Sequence, residues 1–198
     1  MKISIIGTGM IATEVIKMLR NEAKGIEITS IFSHSNKEKA LTLAKENDID
    51  HVYTDYAQLL KEDDADFVYI ALVNNAHYTY VRQALEAQRN VIVEKPFTST
   101  LEEAKLLAQM ARERGLYLFE AVTPLHTPNF QLVKQSLKRI APIHFAQCNF
   151  SQYSSRYERY LHGDIAPAFN PELGGGALND LNVYNINIIV GLFGEPIA

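Results

Sequence analysis

Up to Glu120, short runs of branched apolar side chains alternate with longer stretches in which apolar residues recur every three or four positions. The short runs predict strands at Lys2–Ile6, 26–32, His51–Tyr53, 67–73, 91–93 and 116–119. The periodic stretches predict helices, the first carrying Ile11, Val15, Met18 and Leu19 on one face, then 37–47, 56–61, 76–88 and Leu101–Arg114. Thr100 and Glu103 have capping-box spacing ahead of the last of these, as do Ser35 and Glu38 ahead of the second. Regular alternation of strand and amphipathic helix makes an α/β fold with a doubly wound parallel sheet.

Near Glu120 the pattern changes, so a domain boundary is placed there, giving domains 1–120 and 121–198. Pro124 and Pro128 interrupt the chain, and a helix 128–138 follows with Thr127 as N-cap and Pro128 at its first position. A strand is expected over 143–150. Tyr153, Tyr157 and Tyr160 then form an aromatic stripe suited to packing or to walling a pocket. Last come Gly174, Gly175 and Gly176, which permit close backbone approach to a ligand or to the first domain. They lead into an apolar-periodic helix on which Asp180 and Tyr184, four apart, would share a face; a structural hydrogen bond between them and a catalytic role are equally compatible with that spacing.

Chemistry concentrates where strands stop. Val91, Ile92 and Val93 have the continuous hydrophobicity of a strand covered on both faces and run straight into Glu94, Lys95 and Pro96. Proline has no N–H for the ladder, so Lys95 sits at the strand's carboxyl end, the edge at which open parallel sheets bind ligands. At the N-terminus, Gly7-Thr8-Gly9-Met10-Ile11-Ala12 follows a strand and opens a helix. In that context Gly7 makes the turn, Gly9 admits a pyrophosphate, and Ala12 lets helix and strand approach, while the helix-start amides of Gly9, Met10 and Ile11 hold phosphate. The predicted ligand is a dinucleotide.

The second strand ends in Ser33-His34-Ser35-Asn36-Lys37, without the acid that binds a ribose 2′-hydroxyl. Hydroxyls, an imidazole and Lys37 can instead donate to a 2′-phosphate, which favours NADP over NAD, although Ser35 could simply cap the next helix. Asn74 and Asn75, at the end of the fourth strand, are placed to touch the same cofactor. His77 beyond them reads as a helix-start residue.

Composition narrows the partners. A net charge of −4 argues against a nucleic-acid phosphate binder, and no apolar run reaches the ~20 residues that span a bilayer. The segment Ile3 to Ile6 leads into glycines and reads as a strand, not a signal peptide. Cys148 is the lone cysteine, which fits a cytoplasmic protein without disulfides, and it reads as a small core residue. No metal site is expected.

Three blocks in this order, Gly7 to Ala12, Glu94-Lys95-Pro96 and Gly174 to Asp180, carry a resemblance to the Gfo/Idh/MocA family of glucose-fructose oxidoreductases and inositol dehydrogenases. The resemblance implies a Rossmann domain followed by an α/β domain with a large open-faced sheet, with the active site between them. It also implies hydride transfer between NADP or NAD and a sugar, polyol or dihydrodiol, a cis Lys95–Pro96 peptide, and a homo-oligomer formed through the second domain. Lys95 is similar to the family's catalytic lysine and Asp180 to its substrate-facing acid. Tyr184 stands where many members have a histidine, as in the dihydrodiol dehydrogenase branch, and Asn182 stands where glycine is usual.

The chemistry is consistent with those roles. Moving a hydride to or from a carbinol carbon requires a group that takes or gives the hydroxyl proton. A tyrosine, ordinarily titrating near ~10, does this at neutral pH only beside a positive charge. Lys95 is the candidate for that charge, with Asp180 orienting the substrate hydroxyl or the lysine.

Residues 121–198 suffice for helices and a strand or two, but not for a large open sheet, so the second domain is expected to be partial. Either the sequence is a piece of a longer chain or it is a shortened relative, whose last helix would then expose Ile186, Ile189 and Val190 and require a partner. Two readings stay open at this point: an oxidoreductase, and a nucleotide-sensing or structural relative that keeps the fold without turnover.

Overall fold

The computed structural model describes residues 1–197, and the chain divides into two compact units, Met1–Glu120 and the residues after it. In the first unit the order is β1 (Lys2–Ile6), α1 (Met10–Glu22), β2 (Glu27–Phe32), α2 (Lys37–Glu46), β3 (His51–Tyr53), α3 (Tyr56–Glu62), β4 (Phe67–Ile70), α4 (His77–Glu86), β5 (Asn90–Glu94), α5 (Leu101–Arg114) and β6 (Leu118–Ala121), which ends on the first residue of the second unit. The strands form one sheet in the order β3-β2-β1-β4-β5-β6, with β1 parallel to β2 and β4, β2 to β3, and β4 to β5. The chain therefore reverses its direction of travel across the sheet between β1 and β4.

Both faces are covered, which explains the unbroken apolar runs. Ile3, Ile5, Ile28, Ile31 and Tyr69 pack with α1 and α2 on one face. Ile6, Phe32, Val68, Ile70, Val91 and Val93 pack with α3, α4 and α5 on the other. Ile28 and Ile31 share a face despite their odd spacing because the β1/β2 register slips between Ile3 and Ser4. The buried stripe of α1 is Ala12, Ile16 and Leu19, so the expected face is corrected: Ile11 and Met18 are exposed. The spacing 12, 16, 19 follows one side of a 3.6-residue helix with the small Ala12 against the sheet, leaving 11 and 18 turned away.

Boundaries moved where loop chemistry competes. The fourth strand stops at Ile70, and Asn74–Ala76 form a 3-10 turn. The sixth strand starts at Leu118 rather than 116, after Gly115 closes α5 in the left-handed conformation. The Thr100/Glu103 capping box is present. The one expected from Ser35 is not: Asn36 caps α2 by accepting from the Lys39 N–H, and it leaves Ser35 outside the helix.

In the second unit, α6 (Pro128–Ile140) has Thr127 as N-cap and Pro128 at its start. Short α7 (Tyr157–Leu161), two 3-10 turns, α8 (Ala177–Asp180) and α9 (Asn182–Phe193) follow. Residues 143–150, expected as a strand, adopt no regular structure. A strand needs a neighbour for its N–H and C=O groups, and no described segment pairs with it. Phe145 is accordingly 80% exposed, and Cys148 is half-buried in irregular backbone rather than in a core. Tyr153, Tyr157, Tyr160 and Phe169 pack in a row with ring centroids 5.5–6.5 Å apart, Tyr157 and Tyr160 stacked and the two outer pairs edge-on. Ile186 and Val190 are exposed, as expected, while Ile189 is half-buried. Among the described residues, no helix is long and apolar enough to cross a membrane.

Among the glycines of the first unit, Gly7 is the most closely approached. Its φ is +119°, and a Cβ there would lie 2.4 Å from the Ala71 carbonyl oxygen. At Gly9 a Cβ would meet nothing within 4 Å. Gly7→Ala is therefore expected to destabilise the chain by at least ~1–3 kcal/mol and Gly9→Ala by less than ~1 kcal/mol, as read from urea unfolding. Equal effects would contradict this account of the turn.

Candidate functional site

At the carboxyl end of the sheet, neighbouring loops are tied together through their backbones. The Gly7 N–H donates to Phe32 O, Ser33 N–H to Tyr53 O, and Ala71 N–H to Ile6 O, at 2.9–3.0 Å. These bonds continue the ladder one step past the strands and set the loops after β1, β2 and β4 side by side. Gly7, Gly9, Ser33, His34, Lys37, Asn74, Asn75, Glu94 and Lys95 all lie in this row of strand ends. No side chain caps the start of α1, where Met10 and Ile11 are exposed. With open space above Gly9, that start is a cradle of backbone N–H groups of the kind that holds phosphate.

In the turn after β2, Ser33 is buried and its hydroxyl accepts the Asn36 N–H at 3.2 Å, so it is partly committed to the turn. His34, Ser35 and Lys37 are exposed. Any contact with a 2′-phosphate falls chiefly to them.

The turn Glu94-Lys95-Pro96-Phe97 is held from below. Lys95–Pro96 is cis, as the resemblance implies. Tyr69, on β4, donates its hydroxyl to Glu94 Oε1 at 2.5 Å, and burial together with the Glu94 charge pushes the tyrosine's pKa up, keeping it a donor. Glu120, on β6, accepts the Phe97 N–H at 2.9 Å. Burial pushes the Glu120 carboxyl above its ordinary range; the Phe97 bond opposes this and nearby Glu94 adds to it. His77 begins α4, as expected, but it is fully buried, with Nδ1 2.9 Å from Pro96 O and Nε2 3.2 Å from Leu72 O. Burial holds its pKa below the usual histidine range. Behind the turn, Phe97, Ala108, Ala111, Arg112, Leu116, Leu118 and Glu120 line an open groove of about 510 Å³.

The sequence reading missed Tyr69 and Glu120 as supports of this turn. In sequence Glu120 carries a signal, an acid at a strand's carboxyl end, but the same residue marks the domain boundary. Tyr69 carried none beyond the strand pattern.

Asp180 and Tyr184 belong to the second unit, where the single helix expected is corrected to two. The helix breaks at Leu181, so Asp180 ends α8 and Tyr184 lies in α9. Asn179, Asp180 and Asn182, residue types of low helix propensity, flank the break, and the Asn182 side chain accepts from the Asn185 side chain at 3.1 Å. Tyr184 is half-buried, its ring 4.6 Å from that of Phe150. The glycine run makes its close approach within its own unit: a Cβ on Gly175 would lie 2.4 Å from Pro167 O.

Glu120→Gln tests the burial of that carboxyl. An acid whose folded pKa is raised binds more protons folded than unfolded, so its contribution to stability falls as pH rises from its ordinary 4.5 through the raised value. Gln keeps an acceptor for the Phe97 N–H without the charge. The variant should melt above the parent at pH 7, with the difference vanishing below pH 4.5. A lower melting temperature at pH 7 would mean that the charge has a stabilising partner.

A family model for Gfo/Idh/MocA oxidoreductases, described as an NAD-binding Rossmann fold, matches residues 1–122. An uncharacterized oxidoreductase of Escherichia coli, YgjR, is 34% identical over 195 residues, which are 98% of this chain and 59% of that one. The scyllo-inositol 2-dehydrogenase (NADP(+)) IolU of Bacillus subtilis is 32% identical over the same shares. The chain thus spans about 59% of the length of these curated relatives. Among solved structures, the 3-ketoreductase KijD10 of Actinomadura kijaniata, in complex with NADP, is 32% identical with a TM-score of 0.64, covering 70% of this chain and 44% of its own. Apo scyllo-inositol dehydrogenase of Lactobacillus casei, at 17% identity, covers 98% of this chain and 55% of its own with a TM-score of 0.77, a likeness of fold.

Proposed function

The chain belongs to the Gfo/Idh/MocA oxidoreductase family with its NAD-binding Rossmann fold, and from that premise we propose that it is the cofactor-binding part and the beginning of the substrate domain of an NADP-dependent oxidoreductase. The substrate class is a sugar, polyol or diol. The observation that carries this reading is the edge itself: an uncapped helix start behind Gly9 beside an acid-free turn at His34, Ser35 and Lys37, with Lys95 on the same row. The named activity of IolU and the bound NADP of KijD10 support the choice of NADP. The alternative, a relative without turnover, has no specific observation in its favour.

A nicotinamide cofactor, when bound, accepts or supplies the hydride. The chain's own residues do the rest. Gly9, Met10 and Ile11 would present N–H groups to the pyrophosphate and Lys37 and His34 would meet the 2′-phosphate, while Asn74, Asn75 and Glu94, after β4 and β5, would border the cofactor on the other side of the pyrophosphate. Lys95 acts as the catalytic lysine, making it easier for the proton on the substrate hydroxyl to leave as the carbon loses hydride. Tyr184, as its phenolate, would take that proton during oxidation and, as the phenol, return it during reduction, and Asp180 would orient the substrate hydroxyl. The exposed Ile186 and Val190 are the surface that a homo-oligomer formed through the second unit would cover.

Tyr184→Phe tests the assignment in the full-length enzyme, with NADPH absorbance as the readout on a panel of sugars, polyols and diols. Turnover should fall by about two to four orders of magnitude with little change in melting, since the ring volume is kept. A loss of ~1–3 kcal/mol in stability with turnover retained would make Tyr184 structural.

A further inference from the structure

His77 is wholly buried at the first position of α4, and packing alone gives no reason for a side chain with two polar atoms there. Its two ring nitrogens face carbonyls of two different loops. Leu72 leads from β4 into Asn74 and Asn75, and Pro96 is the residue immediately after Lys95. We propose that His77 is a positioning residue for Lys95: through Pro96 O it ties the Pro96–Phe97 peptide to the start of α4, directly after the loop that carries Asn74 and Asn75, and so fixes the direction in which the lysine side chain leaves the sheet edge. The inference rests on the reading of Lys95 as the lysine of a dinucleotide site.

The surroundings of the ring support a tether more than a proton carrier. A neutral imidazole has one N–H and can donate to only one of the two carbonyls, and Pro96 O, at 2.9 Å, is nearer than Leu72 O, at 3.2 Å. The charged groups that bear on the ring are Glu94 and Lys95, with opposite effects. Two more bonds hold the same turn: Tyr69 to Glu94 on one side of Lys95, and the Phe97 N–H to Glu120 on the other. The backbone beneath a lysine sets the volume that its four rotatable bonds can reach. Of the three anchors, His77 alone also reaches the loop after β4.

The two carbonyls can be separated by substitution. An Asn amide at position 77 places its nitrogen near Nδ1 and can still donate to Pro96 O, whereas a Gln amide places its nitrogen near Nε2 and reaches Leu72 O. The protein is labelled with 13C-lysine, and the Lys95 ε resonance is assigned by its loss in Lys95→Met. In His77→Asn this resonance should stay within a linewidth of the parent position. In His77→Gln and His77→Leu it should move by more than a linewidth or broaden. Equal disturbance by Asn and Gln, or an unmoved resonance in folded His77→Leu, overturns the proposal; if the Leu variant does not fold, the Asn/Gln comparison decides alone. Addition of NADPH to the parent protein tests the premise separately: a Lys95 resonance that does not respond defeats the dinucleotide reading without touching the positioning result.

Discussion

A parallel sheet covered on both faces leaves only its two ends open to a ligand, and that constraint governs the first unit. Helices α1 and α2 close one face and α3, α4 and α5 the other, so polar side chains can reach solvent from the sheet only beyond its last ladder bonds. The reversal between β1 and β4 marks the place at which open sheets of this kind bind ligands, and at its carboxyl end Gly7 lies against the Ala71 carbonyl. A side chain at position 7 would force these loops apart. Gly7 thus links fold and site: it lies close to the loop after β4 at the point where the chain turns toward the start of α1.

The polar supports beneath the Glu94–Phe97 turn extend the same logic. Tyr69, His77 and Glu120 come from β4, α4 and β6, and each bonds to a different point of one short turn. Burial raises the cost of leaving any of these groups unpaired, so the turn is held by groups that have few other partners. A turn fixed in this way can carry a lysine with a defined origin.

Much of the first unit was legible because its signals are local. Thr100 and Glu103 cap α5 from within one turn, and the runs around Ile5 and Val91 have the continuous hydrophobicity that two-sided burial demands. What escaped depends on contacts between distant residues. The slip between Ile3 and Ser4 changes which residues of β2 share a face, Asn36 displaces Ser35 as cap by reaching the Lys39 N–H, and Glu120 reaches back to Phe97 across many residues. In the second unit, 143–150 have strand-like composition but no described partner, and periodicity across Leu181 hid a break flanked by polar residues that favour helix ends. The motif residues at Gly7, Gly9 and Lys95 were legible as candidates; the supports that hold Lys95 were not.

The central claim is that this sheet end binds a dinucleotide carrying a 2′-phosphate. Backbone hydrogen exchange on this chain, with NADPH or NADH at equal concentration, tests it most directly. The account predicts slowed exchange at residues 9–11, 34–37 and 74–75 with NADPH, and weaker protection at 34–37 with NADH. Exchange unchanged at 9–11, or protection confined to the groove beside Arg112, would contradict it.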